Sequence, residues 1–352
     1  MISGRFLLSL TRFRALGKQS IRNVHRAVGV IGVPFSKGQP RGGVAQAPQY
    51  LREAGMLRKL EAMGYTVHDY GDVQFNEIPN DLPSFNIKNP RTIGSATKRI
   101  SETVCDIVRR NETCLTLGGD HSLSIGTLHG HALAEPDMCV IWVDAHADLN
   151  PPLASMSGNI HGMVLSFLMH GLQEYIPVIP GLEWVKPCLK PHNLAYIGLR
   201  DVDPGEKHII QTMGITCYTM HDIDRHGVDY VLEHALDAVN PGLKKPIHLS
   251  YDIDALDPAV TPSTGTPVPG GLTTREGMFI AEEISLTDRL TAVDFVEVNP
   301  LLGSDSEQAI TLATAVEVMA ACFGKRRTGN SPGGYELPRP NISMADIAAE
   351  KK

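Results

Sequence analysis

Eight short runs rich in Val, Ile and Leu, at residues 27–33, 66–70, 114–117, 138–143, 194–198, 216–218, 246–251 and 292–298, alternate with longer polar stretches of helical character. Runs of this length suit strands buried on both faces, and helix-length spacers suit the crossovers that parallel neighbours need. The pattern predicts an α/β protein, a single-domain three-layer α/β/α arrangement with a mostly parallel sheet. Helices are expected between the runs, for example over 95–110 and 228–239, and no Pro/Gly/Ser-rich linker divides residues 27–324. From 325 to 352 the periodicity is lost and Gly, Pro and Asn accumulate, so an extended or disordered tail is expected there.

The first 26 residues differ in kind. They carry Arg5, Arg12, Arg14, Lys18, Arg22 and Arg26, and no Asp or Glu occurs before Glu53. Helical spacing gathers Phe6, Leu10 and Phe13 on one side, and the Arg- and Ser-containing, acid-free composition is that of a mitochondrial presequence, against the plainer reading of a basic arm. Losing six positive charges would take the formal charge from −7 to −13, leaving a distinctly acidic body. Even the whole chain lacks the basic excess on which general nucleic-acid affinity rests, so no nucleic-acid partner is expected. No apolar stretch approaches the about 20 residues of a membrane helix, so no membrane insertion is expected. The six cysteines, Cys105, Cys114, Cys139, Cys188, Cys217 and Cys322, form no Cys-x-x-Cys and are expected to be reduced and mostly buried.

Three of the apolar runs end in side chains that a core would not accept. The run at 114–117 leads into Gly118-Gly119-Asp120-His121, that at 138–143 into Asp144, His146 and Asp148 at alternate positions, and that at 246–251 into Asp252 and Asp254. On an extended backbone, alternate positions share a face. In open α/β sheets, ligands bind at the carboxyl ends of strands, so the three ends can converge on one crevice. Each motif alone could be a cap or a turn. Together they place four carboxylates and two imidazoles in one region, and buried carboxylates in such number need cations between them. The oxygen-dominated, thiolate-free set suits hard divalent ions, Mn²⁺ above all with Mg²⁺, Fe²⁺, Co²⁺ or Zn²⁺ as competitors, and six side chains suit two ions sharing bridging carboxylates, which can generate a nucleophilic hydroxide at neutral pH.

The blocks Gly-Gly-Asp-His-Ser at 118–122, Asp-Ala-His-Ala-Asp at 144–148 and Ser-Tyr-Asp-Ile-Asp-Ala-Leu-Asp-Pro at 250–258 resemble the three metal signatures of the ureohydrolase family. Ser-Gly-Asn-Ile-His-Gly at 157–162, the run 198–206, the run 264–272 and Glu-Val-Asn-Pro at 297–300 look like arginase motifs in arginase order, and the resemblance spans 28–324. With the basic leader it is to arginases of the mitochondrial type. It implies hydrolysis of the guanidinium group of L-arginine to L-ornithine and urea by a hydroxide bridging two Mn²⁺ per subunit, in a homotrimer of the mitochondrial matrix. One ion would be held by His121, Asp144, Asp148 and Asp252, the other by His146, Asp144, Asp252 and Asp254, with Asp144 and Asp252 bridging. Asn150, Ser155 and Ser157 would receive the α-carboxylate and Asp203 the α-amino group, with Glu206 nearby. Asn159 and Thr266 would also line the substrate, Glu297 would face the guanidinium, and Asp148 would act in catalysis beside its metal role. The family usually has Thr at position 155 and Gln-Pro at 163–164, where this chain has Ser155 and Met163-Val164.

The chemistry asks for one group more. As the guanidinium carbon becomes tetrahedral, an amine must leave protonated, and His161 is the candidate to pass that proton. Alternatives are an amidinohydrolase acting on agmatine or guanidinobutyrate, a single-zinc deacetylase, and a catalytically silent metal-binding protein.

Overall fold

The computed structural model describes residues 27–329; the presequence expected at 1–26 and most of the expected tail lie outside the described residues. Eight strands form one sheet: β1 (Ala27–Gly32), β2 (Thr66–Asp72), β3 (Thr113–Leu117), β4 (Cys139–Val143), β5 (Leu194–Leu199), β6 (Thr216–Thr219), β7 (Ile247–Asp252) and β8 (Leu290–Val296). Every pairing is parallel, in the order β2-β1-β3-β8-β7-β4-β5-β6. Among the described residues ten α-helices accompany them: α1 (Ala47–Glu53), α2 (Met56–Ala62), α3 (Pro90–Arg109), α4 (Ser124–Ala134), α5 (Val164–Leu168), α6 (Pro204–Met213), α7 (Met220–His226), α8 (Val228–Val239), α9 (Thr274–Leu286) and α10 (Asp305–Cys322).

The predicted three layers are present. Strand residues alternate between two cores: Cys139, Ile141 and Val143 of β4 pack with α1, α2, α8, α9 and α10, whereas Val140 and Trp142 pack with α3, α4 and α5. Because both faces are covered, the central strands are buried at every position, which is why they appear as continuous apolar runs. On α8 the buried positions are Val231, Leu232, Ala235, Leu236 and Val239, the stripe that a helix turns toward a sheet.

Two boundaries differ from expectation. Helix α3 begins at Pro90 rather than 95, since proline fits the first turn, where its missing N–H is not needed. Strand β8 stops at Val296 rather than 298, because Glu297 takes a left-handed φ of 60° that ends the pleat. Four of the six cysteines are buried, and Cys188 and Cys217 are half-buried. The chain after α10 is docked at first: Lys325 pairs with Glu317, and Arg327 bonds Glu282 through Nε and Nη2 at 3.0 and 2.9 Å. Among the described residues no helix is long and apolar enough to cross a membrane.

The strand order creates a switch point. From β4 the chain proceeds to β5 on one side, whereas from its neighbour β7 it proceeds to β8 on the other, so the loops leaving β4 and β7 part and open a crevice.

Candidate metal centre and active site

The neighbouring strands β3, β8, β7 and β4 supply His121, Glu297, Asp252 with Asp254, and Asp144 with His146 and Asp148, all at their carboxyl ends. Asp144 follows β4 directly, and the buried Trp142 indole N–H donates to its Oδ2 at 2.9 Å. The same indole stacks on the His121 ring, with centroids 4.1 Å apart and planes 8° from parallel.

Residues 144–150 are not the extended segment that the alternate spacing suggested. The chain bends, His146 N–H folding back on Asp144 Oδ1 at 2.7 Å and Asp148 taking a φ of 48°, so convergence comes from a tight loop and not from one face of a strand. A left-handed non-glycine residue costs about 1–3 kcal/mol and persists where its surroundings over-determine it. Asp148 and Glu297 are both such residues, and both belong to this site. The turn-forming roles of the acidic residues are therefore present alongside the clustering. Asp252 Oδ1 takes the N–H of Asp254 at 2.8 Å, while its other oxygen lies 3.1 Å from His121 Nδ1. One oxygen shapes the turn and the other faces the centre.

His121 carries the test of whether a cation fits. Its Nε2 is taken by Ser250 Oγ at 2.9 Å, which leaves Nδ1 facing Asp144 Oδ2 at 3.1 Å, Asp148 Oδ2 at 3.2 Å and Asp252 Oδ2 at 3.1 Å. That nitrogen is buried, yet none of these approaches makes a well-directed hydrogen bond. Ligand atoms at right angles about an ion with bonds of ~2.1–2.3 Å lie ~3.0–3.3 Å apart, so the spacing fits a hard divalent cation. A second group forms around His146, whose Nδ1 lies 3.4 Å from Asp144 Oδ1 and 3.3 Å from Asp254 Oδ2. Asp144 gives one oxygen to each group, and Asp252 enters the first through Oδ2 while its Oδ1 accepts the N–H of Asp254, a ligand of the second.

Charge is out of balance here. Burial and the neighbouring carboxylates push Asp148, Asp252 and Asp254 above the usual carboxylate range. Burial opposes ionisation of Asp144 too, but His121 and His146 hold it well below that range. Four carboxylates against two imidazoles is a set that a cation would relieve.

The other predicted residues surround this centre. Burial opposes protonation of His161, but Glu297, with Oε1 at 3.3 Å from Nδ1, raises its pKa to about 9. Glu297 Oε1 also accepts the His121 N–H at 2.9 Å. Glu206 is buried, and burial pushes its carboxyl up to about 7 although the N–H groups of Leu149 and Asp203 bond it. It thereby ties the β4 loop to the start of α6, where Asp203 is the capping residue and accepts from Asn150 Nδ2 at 2.8 Å. Ser155 Oγ and Ser157 Oγ accept backbone N–H groups from Gly158 and Asn159, each at 3.2 Å, which keeps their own protons available to a ligand. Thr266 donates to Asp254 Oδ2 at 3.0 Å and so touches the centre itself. Asn159 Oδ1 accepts from Lys88 Nζ at 2.9 Å.

Sequence reasoning passed over several supports. Arg200 Nη2 donates to the carbonyls of Asp254 at 2.6 Å and Val268 at 2.7 Å, clamping the β7 loop. Asp120 braces the loops: its Oδ1 caps the turn at His121–Leu123 by accepting the Ser122 N–H at 3.0 Å, its Oδ2 accepts the Gly38 N–H at 2.8 Å, and Gly38 O in turn accepts the His161 N–H at 3.2 Å. A Cβ on Gly119 would sit 1.9 Å from Phe35 O, so the β1 and β3 loops touch only because a glycine stands there. Arg200 and Asp120 lie inside conspicuous motifs, which was the available signal; Trp142 and Ser250 look like ordinary strand residues.

A parallel sheet with two histidine–carboxylate groups sharing one aspartate at its switch point defines a class, the α/β enzymes that work through divalent metal. Residues 26–324 match the Arginase family, and the chain belongs to that family of hydrolases. It is 52% identical over 314 residues to the hepatic arginase of Aquarana catesbeiana, covering 89% of this chain and 97% of that protein. It is 50% identical over 322 residues to mitochondrial Arginase-2 of Rattus norvegicus, covering 91% of each. Among solved structures, the Entamoeba histolytica arginase in complex with L-ornithine matches with a TM-score of 0.74 at 31% identity, covering 85% of this chain and 99% of that one.

Proposed function

We propose that the chain hydrolyses the guanidinium group of L-arginine to L-ornithine and urea, with two Mn²⁺ per subunit held by His121, Asp144, Asp148 and Asp252 in one group and by His146, Asp144, Asp252 and Asp254 in the other. The observation that carries this reading is Asp144, one buried carboxylate serving two histidine–carboxylate groups, in a chain of the Arginase family. When bound, the ions supply a nucleophile at neutral pH and a positive field for the charge that develops on the substrate.

The protein residues do the rest. Glu297 keeps its second oxygen for the guanidinium while the first steadies His121 and His161. His161, held protonated at neutral pH by Glu297, passes a proton to the departing amine. Asn150, Ser155 and Ser157 receive the α-carboxylate, with Asn159 and Thr266 lining the substrate, and Asp203, fixed by Asn150 and the Glu206 turn, receives the α-ammonium.

Residues 1–26 are assigned to a mitochondrial presequence, 27–324 to the catalytic domain and 325–352 to a tail, with the mature protein a homotrimer of the matrix. The acid-free, Arg-rich leader and a relative named as mitochondrial support the location. N-terminal sequencing of imported protein and sedimentation would test location and assembly.

The substrate assignment is tested by kcat/KM for L-arginine and agmatine on manganese-loaded enzyme. Agmatine lacks the carboxylate and leaves its donors unpaired, so arginine is expected to be favoured by roughly 10² to 10³. Comparable values, or a preference for agmatine, would overturn the carboxylate assignment while leaving the metal groups standing.

A further inference from the structure

The loop that carries Ser155, Ser157 and Asn159 is held from outside by residues 84–89, Ser-Phe-Asn-Ile-Lys-Asn. Asn86 Nδ2 donates to Ser155 O at 2.9 Å, Lys88 N–H to Gly158 O at 3.2 Å and Asn89 Nδ2 to Lys37 O at 3.1 Å. Ile87, fully buried, fastens the segment to the core beneath α3. Phe85, Asn86 and Asn89 hold φ values of 45°, 68° and 51°, a run of left-handed non-glycine residues that its contacts must enforce. A Cβ on Gly158 would lie 1.9 Å from Asn86 O, so the two segments meet with no slack.

From this rigid segment the Lys88 ammonium reaches Asn159 Oδ1 at 2.9 Å. The side chains assigned to the α-carboxylate, Asn150, Ser155 and Ser157, are all neutral, as is Asn159 on the same loop, and Asp203 beside them is an acid. A carboxylate held by neutral donors alone has no counter-charge beside it, and an ammonium within a few ångströms would supply one. With Oδ1 engaged by the ammonium, Asn159 turns its Nδ2 donors away from Lys88, free for another acceptor.

We propose that Lys88 is a specificity-determining residue that supplies the counter-charge at the carboxylate end of the substrate, through its own field and by orienting Asn159; this rests on the α-carboxylate reading above. Lys88 is exposed, so solvent screens it and its effect is modest. Its sign is specific. The ammonium attracts the carboxylate of arginine or ornithine and repels the doubly cationic agmatine or putrescine.

The test is Lys88→Met and Lys88→Arg on manganese-loaded protein, with KM and kcat for L-arginine and agmatine and inhibition constants for L-ornithine and putrescine. Lys88→Met is expected to raise KM for arginine and Ki for ornithine about three- to tenfold with a smaller change in kcat, to leave or improve agmatine and putrescine binding, and to be rescued by Lys88→Arg. An equal loss for all four compounds would make residues 84–89 a structural strap and overturn the proposal, as would no change for any. Should Lys88→Met prove unstable in a thermal melt, Lys88→Gln with the ornithine–putrescine pair carries the same test. Failure of the underlying reading shows in the wild type alone, as equal affinity for ornithine and putrescine before any residue is changed.

Discussion

Two buried clusters of histidine and acid lie on the same face of the sheet, one at the carboxyl ends of the strands and one part-way down them. In the lower cluster His131 Nδ1 lies 3.0 Å from His248 Nδ1, and His248 Nε2 lies 3.1 Å from Asp294 Oδ2. Asp294 also accepts from Ser124 Oγ at 2.9 Å and from Thr127 Oγ1, while His131 Nε2 meets Glu135 and Thr291, each at 2.9 Å. Burial opposes ionisation of Asp294, but His248 and the two hydroxyls hold its carboxyl below the usual range. Here a single buried acid faces one imidazole and takes two hydroxyl donors on Oδ2, so the charges balance although Asp294 Oδ1 and His248 Nε2 make no well-directed hydrogen bond. At the strand ends four acids face two imidazoles, and burial with mutual repulsion raises three of the four. Histidine and aspartate in a core are thus not enough to mark function. The surplus of negative charge over donors is what separates a site awaiting a cation from a polar stitch in the fold.

That contrast is broken most directly by removing metal. Chelation is expected to abolish urea release and Mn²⁺ to restore it, with a rise in thermal stability on reloading of up to about 4 kcal/mol at saturating metal. Asp252→Asn sharpens the point: in metal-free protein it relieves repulsion and leaves stability unchanged or raised by ~1 kcal/mol, yet it removes most of the metal-dependent gain. Calorimetry on both forms with and without chelator reads this, and full activity in rigorously metal-free protein would end the two-ion reading. Next in size, His161→Asn is expected to lower kcat by about 10² to 10⁴ while metal content by elemental analysis stays at the wild-type value. Wild-type kcat from neutral to alkaline pH would reduce His161 to a loop-shaping residue.

The lower cluster should respond to the opposite treatment. Asp294→Asn is expected to cost about 2–4 kcal/mol in denaturant melts, equally with and without metal, and to leave metal content unaltered. Because Asp294 is held below its unfolded value, its contribution is present above the unfolded carboxylate pKa of ~3.9 and is lost as pH falls through the folded value. The difference in stability between wild type and Asp294→Asn should therefore shrink below about pH 4. A variant that lost metal as well would show that the two clusters are one.

Much of this was visible in the chain itself. Full burial of the central strands made them continuous apolar runs, and the abrupt change from Val143 to Asp144 or from Tyr251 to Asp252 exposed the strand ends, since a core has no other reason to stop on an acid. The lower cluster was hidden for the same reason inverted. His248 and Asp294 sit inside apolar runs, and only strand register, pairing Ser250 with Asp294 and Leu249 with Val293, puts them beside residues of α4. Nor could spacing alone give the bend at Asp148 or the left-handed Glu297, because both residues are held by contacts distant in sequence, Asp148 by Leu165 and His121 and Glu297 by Gly119, His121 and His161. Lys88 lies 71 residues before Asn159, the loop residue it touches, in a segment without periodicity.

Trp142 has a consequence of a different kind. The chain holds two tryptophans, and Trp184 lies apart, its Nε1–H on Gly94 O at 3.0 Å beside α3. Trp142 is stacked on His121 and bonded to Asp144, so an ion drawing on those two side chains polarises the indole directly. On the two-ion reading, Trp142 would serve as an optical gauge of metal occupancy. Emission from Trp142, isolated by replacing Trp184 with phenylalanine, should report filling of the first ligand group in real time, without added dye and independently of turnover.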